Sequence, residues 1–232
     1  MKKFGKKYVE ASKLVDKTKT YELVEAVKLA KETSTTKFDS SVEIAIKLNI
    51  DTKKADQQLR GSLVLPNGNG KTKKILVLAK GAQAEAAKKA GADFVGELEM
   101  IDKIANENWF DFDIIIATPE MMPALGKIGK VLGPKGLMPN PKTGTVTPTP
   151  EKAVEDVKKG MIEYRADAYG NIHCSVGKVS FADNALIENI TYVVNVITKA
   201  KPATVKGKYI QNISLSTTMG PGIHVDQNSI DM

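Results

Sequence analysis

Two unbroken apolar runs in the middle of the chain, Ile75-Leu76-Val77-Leu78-Ala79 and Ile114-Ile115-Ile116-Ala117, constrain the rest of the fold. A run with no polar residue to turn toward water reads as a strand buried on both faces. Between them, Ala82 to Ala90 has helical spacing, Ala92-Asp93-Phe94-Val95 reads as a short strand, and Met100 to Asn106 as a helix; another helix is expected at about Glu151 to Lys159. Strand-helix-strand alternation is the pattern of a parallel sheet with helices on both faces. The flanking sequence keeps a different rhythm. Val42, Ile44, Ile46 and Leu48 alternate with Glu43, Ala45 and Lys47, the period of a strand with one buried face. Leu63-Val64-Leu65 is a further short strand. Beyond Gly160, Ile162 and Tyr164 alternate with Glu163 and Arg165, and strands are expected near Ile172 to Val179 and Tyr209 to Thr218. A helix at Tyr21 to Lys31, capped by Thr20 and packing through Leu23, Val24, Val27 and Ala30, covers them together with a long helix carrying Leu186, Ile190, Val193, Val194 and Ile197.

Neither outer piece has enough strands for a stable sheet alone. The turn-rich stretch Pro66-Asn67-Gly68-Asn69-Gly70-Lys71 breaks the pattern and marks a boundary. The expected architecture is therefore a discontinuous α+β domain, residues 1–67 plus 160–232, with a Rossmann-like, three-layer α/β domain, residues 68–159, inserted between its halves. Such insertion is tolerated when the inserted domain's ends lie close together.

Thirty-four Lys and Arg against 27 Asp and Glu give a net charge of +7, which favours polyanions without choosing among RNA, DNA and a membrane surface. From Lys2 to Lys19 there are seven lysines against Glu10 and Asp16, the composition of a surface arm. Cys174 is the only cysteine, so no internal disulfide forms. No apolar segment follows Met1-Lys2-Lys3, and no run reaches the roughly 18 to 20 apolar residues of a membrane span. A cytoplasmic protein without membrane association is expected.

Enzymatic motifs do not assemble. Gly70-Lys71-Thr72 resembles the end of a phosphate loop, but Leu65 stands where the earlier glycine is needed, and an apolar strand follows instead of a helix. Lys80-Gly81-Ala82 is a plain strand-to-helix turn without the glycines of a dinucleotide site. His173, His224 and Cys174 are too few for a metal centre and read as ordinary strand positions, so no metal or cofactor is expected. Three other segments carry more. Gly133-Pro134-Lys135-Gly136-Leu137-Met138-Pro139-Asn140-Pro141-Lys142 reads as a stiff, exposed loop ringed by Lys127, Lys130, Lys135 and Lys142. The last long strand sets Asn212, Ser214, Ser216 and Thr218 on one face, small polar groups suited to sugar and phosphate, and then runs into Met219-Gly220-Pro221-Gly222. In Thr36-Lys37-Phe38-Asp39-Ser40-Ser41-Val42-Glu43, Phe38 is placed to cap a core or stack on a base, with Lys37 beside it.

Taken in order, Lys37 to Glu43, Gly133 to Lys142 and Thr217 to Pro221 resemble the bacterial large-subunit ribosomal protein L-one family, as do Arg60-Gly61, Ile172-His173 and Gly177-Lys178. The resemblance covers nearly the whole chain. It implies a non-enzymatic, monomeric protein that binds large-subunit rRNA at the mobile stalk beside the tRNA exit site. It further implies a part in releasing deacylated tRNA and repression of translation through its own operon mRNA. Carried over by motif, the RNA contacts fall on Lys37, Phe38, Ser41, Glu43, Asn212, Thr218, Met219 and Gly220. Secondary contacts are expected from Lys2, Lys3, Lys6, Lys7, Lys135 and Lys142. The sequence departs from the family's usual pattern at Ser41, Asn212 and Gly222. The competing readings are an α/β small-molecule-binding protein and a basic protein-binding scaffold.

Overall fold

A computed structural model describes residues 4–230; Lys2 and Lys3, expected above to contact RNA, lie outside them. One compact unit runs to Gly70 and resumes at Ile162, and the second spans Lys71–Met161. In chain order the first unit begins with α1 (Lys6–Lys13), α2 (Leu23–Glu32), β1 (Ser41–Leu48) and β2 (Arg60–Val64). The second holds β3 (Ile75–Leu78), α3 (Ala82–Lys89), β4 (Phe94–Gly96), α4 (Leu98–Glu107), β5 (Ile114–Ala117), α5 (Met122–Lys127), α6 (Gly129–Leu132) and α7 (Pro150–Lys158). The chain returns through β6 (Met161–Arg165), β7 (Asn171–Lys178), α8 (Asp183–Lys199), β8 (Ile210–Thr217) and β9 (Ile223–Val225).

The main sheet has the order β7-β1-β8-β9, all antiparallel. Its second strand comes from the first piece of the chain and the other three from the last. β1 alone has no partner of its own; β7 and β8 supply one on each side. Alternation then sorts the side chains by face. Val42, Ile44, Ile46, Ile172, Cys174, Val176, Ile213, Leu215, Ile223 and Val225 are buried in one cluster with Ala26, Val27 and Ala30 of α2 and Leu186, Ile190, Val193, Val194 and Ile197 of α8. Each fully buried aliphatic side chain in it contributes roughly 1.5 to 3 kcal/mol. β2 and β6 form a separate two-stranded sheet. There Arg60 donates to Glu163 (Nη2 to Oε1, 2.7 Å), and a Cβ at Gly61 would lie 2.6 Å from the Tyr164 hydroxyl, so only glycine fits.

The turn at Pro66 to Gly70 folds back onto α8. Fully buried Asn189 accepts from Asn67 N–H at 3.0 Å and donates to Gly68 O at 2.9 Å and Val176 O at 2.8 Å. Both N–H donors and the carbonyl oxygen of that amide are engaged by the turn and by β7, which keeps the turn with the first unit.

In the second unit the parallel sheet has the order β4-β3-β5. Leu76, Leu78, Ile115 and Ala117 cluster with Ile101 and Ile104 of α4, Leu125 of α5 and Leu132 of α6. Ile75, Val77 and Ile116 alternate onto the opposite face and are equally buried. The apolar runs are thus continuous because both faces are covered.

Several local expectations change. The charged N-terminal arm is helical over Lys6–Lys13, because Ala11 is buried and Val15, one turn on, joins the core cluster. α2 starts at Leu23 with Glu22, not Thr20, at its N-cap. Tyr21 is still extended, its N–H donating to His224 O at 2.9 Å and its carbonyl accepting from Asp226 N–H at 2.8 Å, so no helix can begin before it. The first helical N–H, on Leu23, instead finds Ser229 Oγ at 3.1 Å, and Val24 faces solvent. β9 and the short helices α5 and α6 had no sequence signal strong enough to mark them.

Candidate nucleic-acid interface

The sheet register assembles a polar face from residues far apart in sequence. Glu43 lies between Ser175 and Ser216, Ala45 between His173 and Ser214, and Lys47 between Asn171 and Asn212, with His224 beyond Ser214. Directly opposed residues share a face. Among the described residues, both helices that pack on this sheet contribute to the buried cluster on the other side. Asn212 Nδ2 lies 3.2 Å from Ser214 Oγ and 3.3 Å from His224 Nδ1, a small network of groups that both donate and accept.

At one end of this face the two halves of the unit are bonded together. Ser41 N–H donates to Thr218 Oγ1 at 3.0 Å, and Thr218 N–H donates to Ser41 O at 3.1 Å. Ser41 is only 7% exposed, and it anchors Thr218 through its main-chain N–H and carbonyl. Thr218 is followed by a tight turn in which Gly220 N–H donates to Thr217 O at 2.9 Å. Its third residue, Met219, has φ 92°, which suits the third position of a type II turn but normally calls for glycine or asparagine. Such a backbone costs a side-chain-bearing residue about 1 to 3 kcal/mol. The side chain gains nothing back by burial, being 71% exposed. Gly220 is required by contact: a Cβ there would stand 2.3 Å from Thr217 Oγ1.

The loop before β1 is laced in place by short polar side chains. Thr36 Oγ1 donates to Phe38 O at 3.0 Å and meets Ser40 Oγ in a close contact. Asp39 accepts from Ser180 N–H at 3.1 Å and from its hydroxyl at 2.8 Å, tying the loop to the end of β7. Held this way, Phe38 is 60% exposed and Lys37 is exposed beside it. Both line a hollow of about 570 Å3 together with Met219, Thr35, Thr36 and, from the N-terminal segment, Phe4, Gly5, Lys7 and Tyr8.

The expected contact residues therefore fall into groups. Lys37, Phe38 and Met219 share the hollow; Ser41 and Thr218 are hydrogen-bonded; Gly220 shapes the turn; and Glu43 is exposed two residues into β1. Asn212 is separate, about 20 Å from Thr218 at strand rise. Lys6 and Lys7 are exposed on α1. Lys135 and Lys142 belong to the second unit, where Lys135 Nζ sits 4.2 Å from the Phe110 ring centre. Their loop is not the freely exposed segment expected. Leu137 and Met138 pack against the unit's core, Pro139 is buried, and Asn140 O accepts from the Thr143 hydroxyl at 3.0 Å.

Sequence reading missed Phe4, Tyr8, Lys47, His173 and Ser175. Helical spacing from Phe4 through Tyr8 and Ala11 to Val15 could have revealed the first two; the others needed the pairing of β1 with β7. At the far end of the face, Asp167 is held at about 2, chiefly by the Asn171 backbone N–H, then by the Asn171 side-chain amide. Cys174 points the other way, and burial pushes its thiol up to about 12, so it is no nucleophile at neutral pH. No group of three metal-binding side chains occurs among the described residues, and none of their helices is long and apolar enough to cross a membrane.

The match to a ribosomal protein family model extends over residues 30–221, most of the chain. The chain belongs to the Ribosomal protein L1p/L10e family. It is 61% identical over 228 residues to the large ribosomal subunit protein uL1 of Mesoplasma florum, covering 98% of this chain and all of that one. It is 57% identical over 230 residues to the protein of the same name from Macrococcus caseolyticus, covering 99% of each. Members of this family are structural rather than catalytic.

Proposed function

We propose that this chain grips folded large-subunit rRNA with the end of its four-stranded sheet. Membership of the L1p/L10e family makes it a non-enzymatic structural constituent of the large ribosomal subunit, and an rRNA-binding protein of the cytoplasmic ribosome. The observation that supports the finer reading is Met219, a large apolar side chain held out of the core on a strained backbone and bonded through Thr218 to the strand that carries Glu43. Strain kept without a packing return points to a contact made elsewhere.

In this reading Met219 and Phe38 lie against ribose and base faces, while Lys37 meets phosphate. Glu43 carries the wrong sign for phosphate and accepts from a base edge or a 2′-OH, which makes it a specificity residue. The polar sheet face continues the surface toward Asn212. The RNA is the mobile stalk beside the tRNA exit site, where the protein assists release of deacylated tRNA. The same surface binds the leader of the protein's own operon mRNA and represses its translation.

Filter binding of a stalk rRNA transcript across a salt series tests this. Lys37→Ala is expected to lower the slope of log affinity against log salt by about one phosphate contact. In cell-free translation of the operon mRNA, the stalk transcript should relieve repression; relief by an unrelated duplex of equal length would remove the shared-surface reading.

A further inference from the structure

From the hollow beside Met219 we infer a stacking site for an unpaired nucleobase, built by Phe4 and Tyr8. The inference rests on the RNA-binding reading above. Phe4, Tyr8, Ala11 and Val15 recur at helical spacing, Phe4 just before α1 and Val15 just after it, yet only the second half of the series is buried: Ala11 is 4% exposed and Val15 5%, against 66% for Phe4. The buried half fixes α1 to the unit, and the aromatic half overhangs the gap in front of Phe38 and Met219. The Phe4 and Tyr8 ring centres are 5.0 Å apart with an interplanar angle of 30°, leaving aromatic surface open to the hollow.

The chemistry of the rim selects the occupant. Lys7 and Lys37 stand beside the apolar floor, so the site offers ring faces inside and positive charge at its edge. That combination fits a nucleotide, whose base has an apolar face and whose flanking phosphates are anionic. Continuity points the same way, because an RNA held by Lys37, Phe38 and Met219 already touches the other wall of the same hollow. A base turned out of a loop or bulge can enter it, whereas a base stacked within a helix cannot. Phe4 and Tyr8 precede residue 30, where the family match begins.

The experiment compares a double variant, Phe4→Leu with Tyr8→Leu, to the unaltered chain in filter binding with the stalk rRNA transcript. Leucine keeps an apolar surface but removes the ring faces. The expected result is an affinity loss of about ten-fold or more with the salt slope unchanged. Phe4→Trp with Tyr8→Phe should retain affinity, because both positions keep a ring. Leu14→Ala, at an exposed apolar position just past the end of α1 and away from the hollow, should also bind normally. Equal binding by the double variant and the unaltered chain would overturn the stacking site while leaving the RNA reading intact. Failure of the unaltered chain to bind the transcript would overturn both. Far-UV circular dichroism of the double variant should match the unaltered chain, since Ala11 and Val15 are untouched.

Discussion

Two loops of this protein share a composition and behave in opposite ways. Gly133 to Pro139 and Thr217 to Gly222 each combine glycine, proline and one methionine. In the second unit, Met138 packs with Leu137 against the core that contains Leu125, Ile128 and Leu132. In the first unit, Met219 stands in solvent on a left-handed backbone. The difference lies in what precedes each loop. Helix α6 turns back so that Leu137 N–H reaches Leu132 O at 3.1 Å, which brings Met138 over the sheet. β8 instead runs off the end of its sheet, where the Ser41 to Thr218 bonds aim the next residue outward. A glycine and proline loop is thus neither structural nor functional by composition; its anchor decides.

Charge substitution at the two methionines gives the sharpest contrast. Met219→Asp should weaken stalk rRNA binding by about 100-fold or more while the unfolding midpoint stays unchanged, as befits an exposed interface centre. Met138→Asp should do the reverse, lowering stability by about 2 kcal/mol through loss of packing and a poorly solvated charge, with binding by the first unit preserved. Urea melts and filter binding of both variants read the comparison directly; equal effects of the two on affinity would erase it.

Thr218→Val probes the anchor itself. Valine leaves Ser41 N–H without its partner, a loss of about 1 to 3 kcal/mol in stability, and the turn loses its fixed aim, so affinity falls with it. Retention of both would mean that the bonds between Ser41 and Thr218 do not set the turn.

Met219→Gly separates strain from function. Removing the side chain from a backbone at φ 92° should raise stability by about 1 kcal/mol, against the entropy glycine adds to the unfolded chain, while binding weakens. A destabilised glycine variant would show that the turn is not strained.

The smallest effect belongs to the other end of the polar face. Asp167 is held at about 2, below its ordinary 3.8, mainly by the Asn171 N–H. Its contribution to folding is complete above the unfolded value and is lost as pH falls toward 2. Asp167→Asn should therefore reduce the loss of stability between pH 4 and 2 while acting modestly at neutral pH, because the carboxylate is well solvated. Acid unfolding curves of the two chains, if parallel throughout, would contradict this.

Much of the molecule was legible in one dimension because periodicity is local. Ile75 to Ala79 and Ile114 to Ala117 announced strands buried on both faces, and Val42 to Leu48 a strand buried on one, since side chains in a strand must alternate whatever they pack against. The segments near Lys37 to Glu43 and Thr217 to Gly222 were also legible, through their turn formers and their family likeness. What sequence could not supply was pairing. That β1 lies between β7 and β8 depends on hydrogen bonds across more than a hundred residues of chain, and only this pairing places Glu43, His173 and Asn212 on one surface. Nor could sequence reveal that α1 is anchored at one end and open at the other, because the apolar stripe from Phe4 to Val15 has the same spacing throughout. Local chemistry fixes which way a side chain alternates; only the tertiary fold decides whether a neighbour is there to cover it.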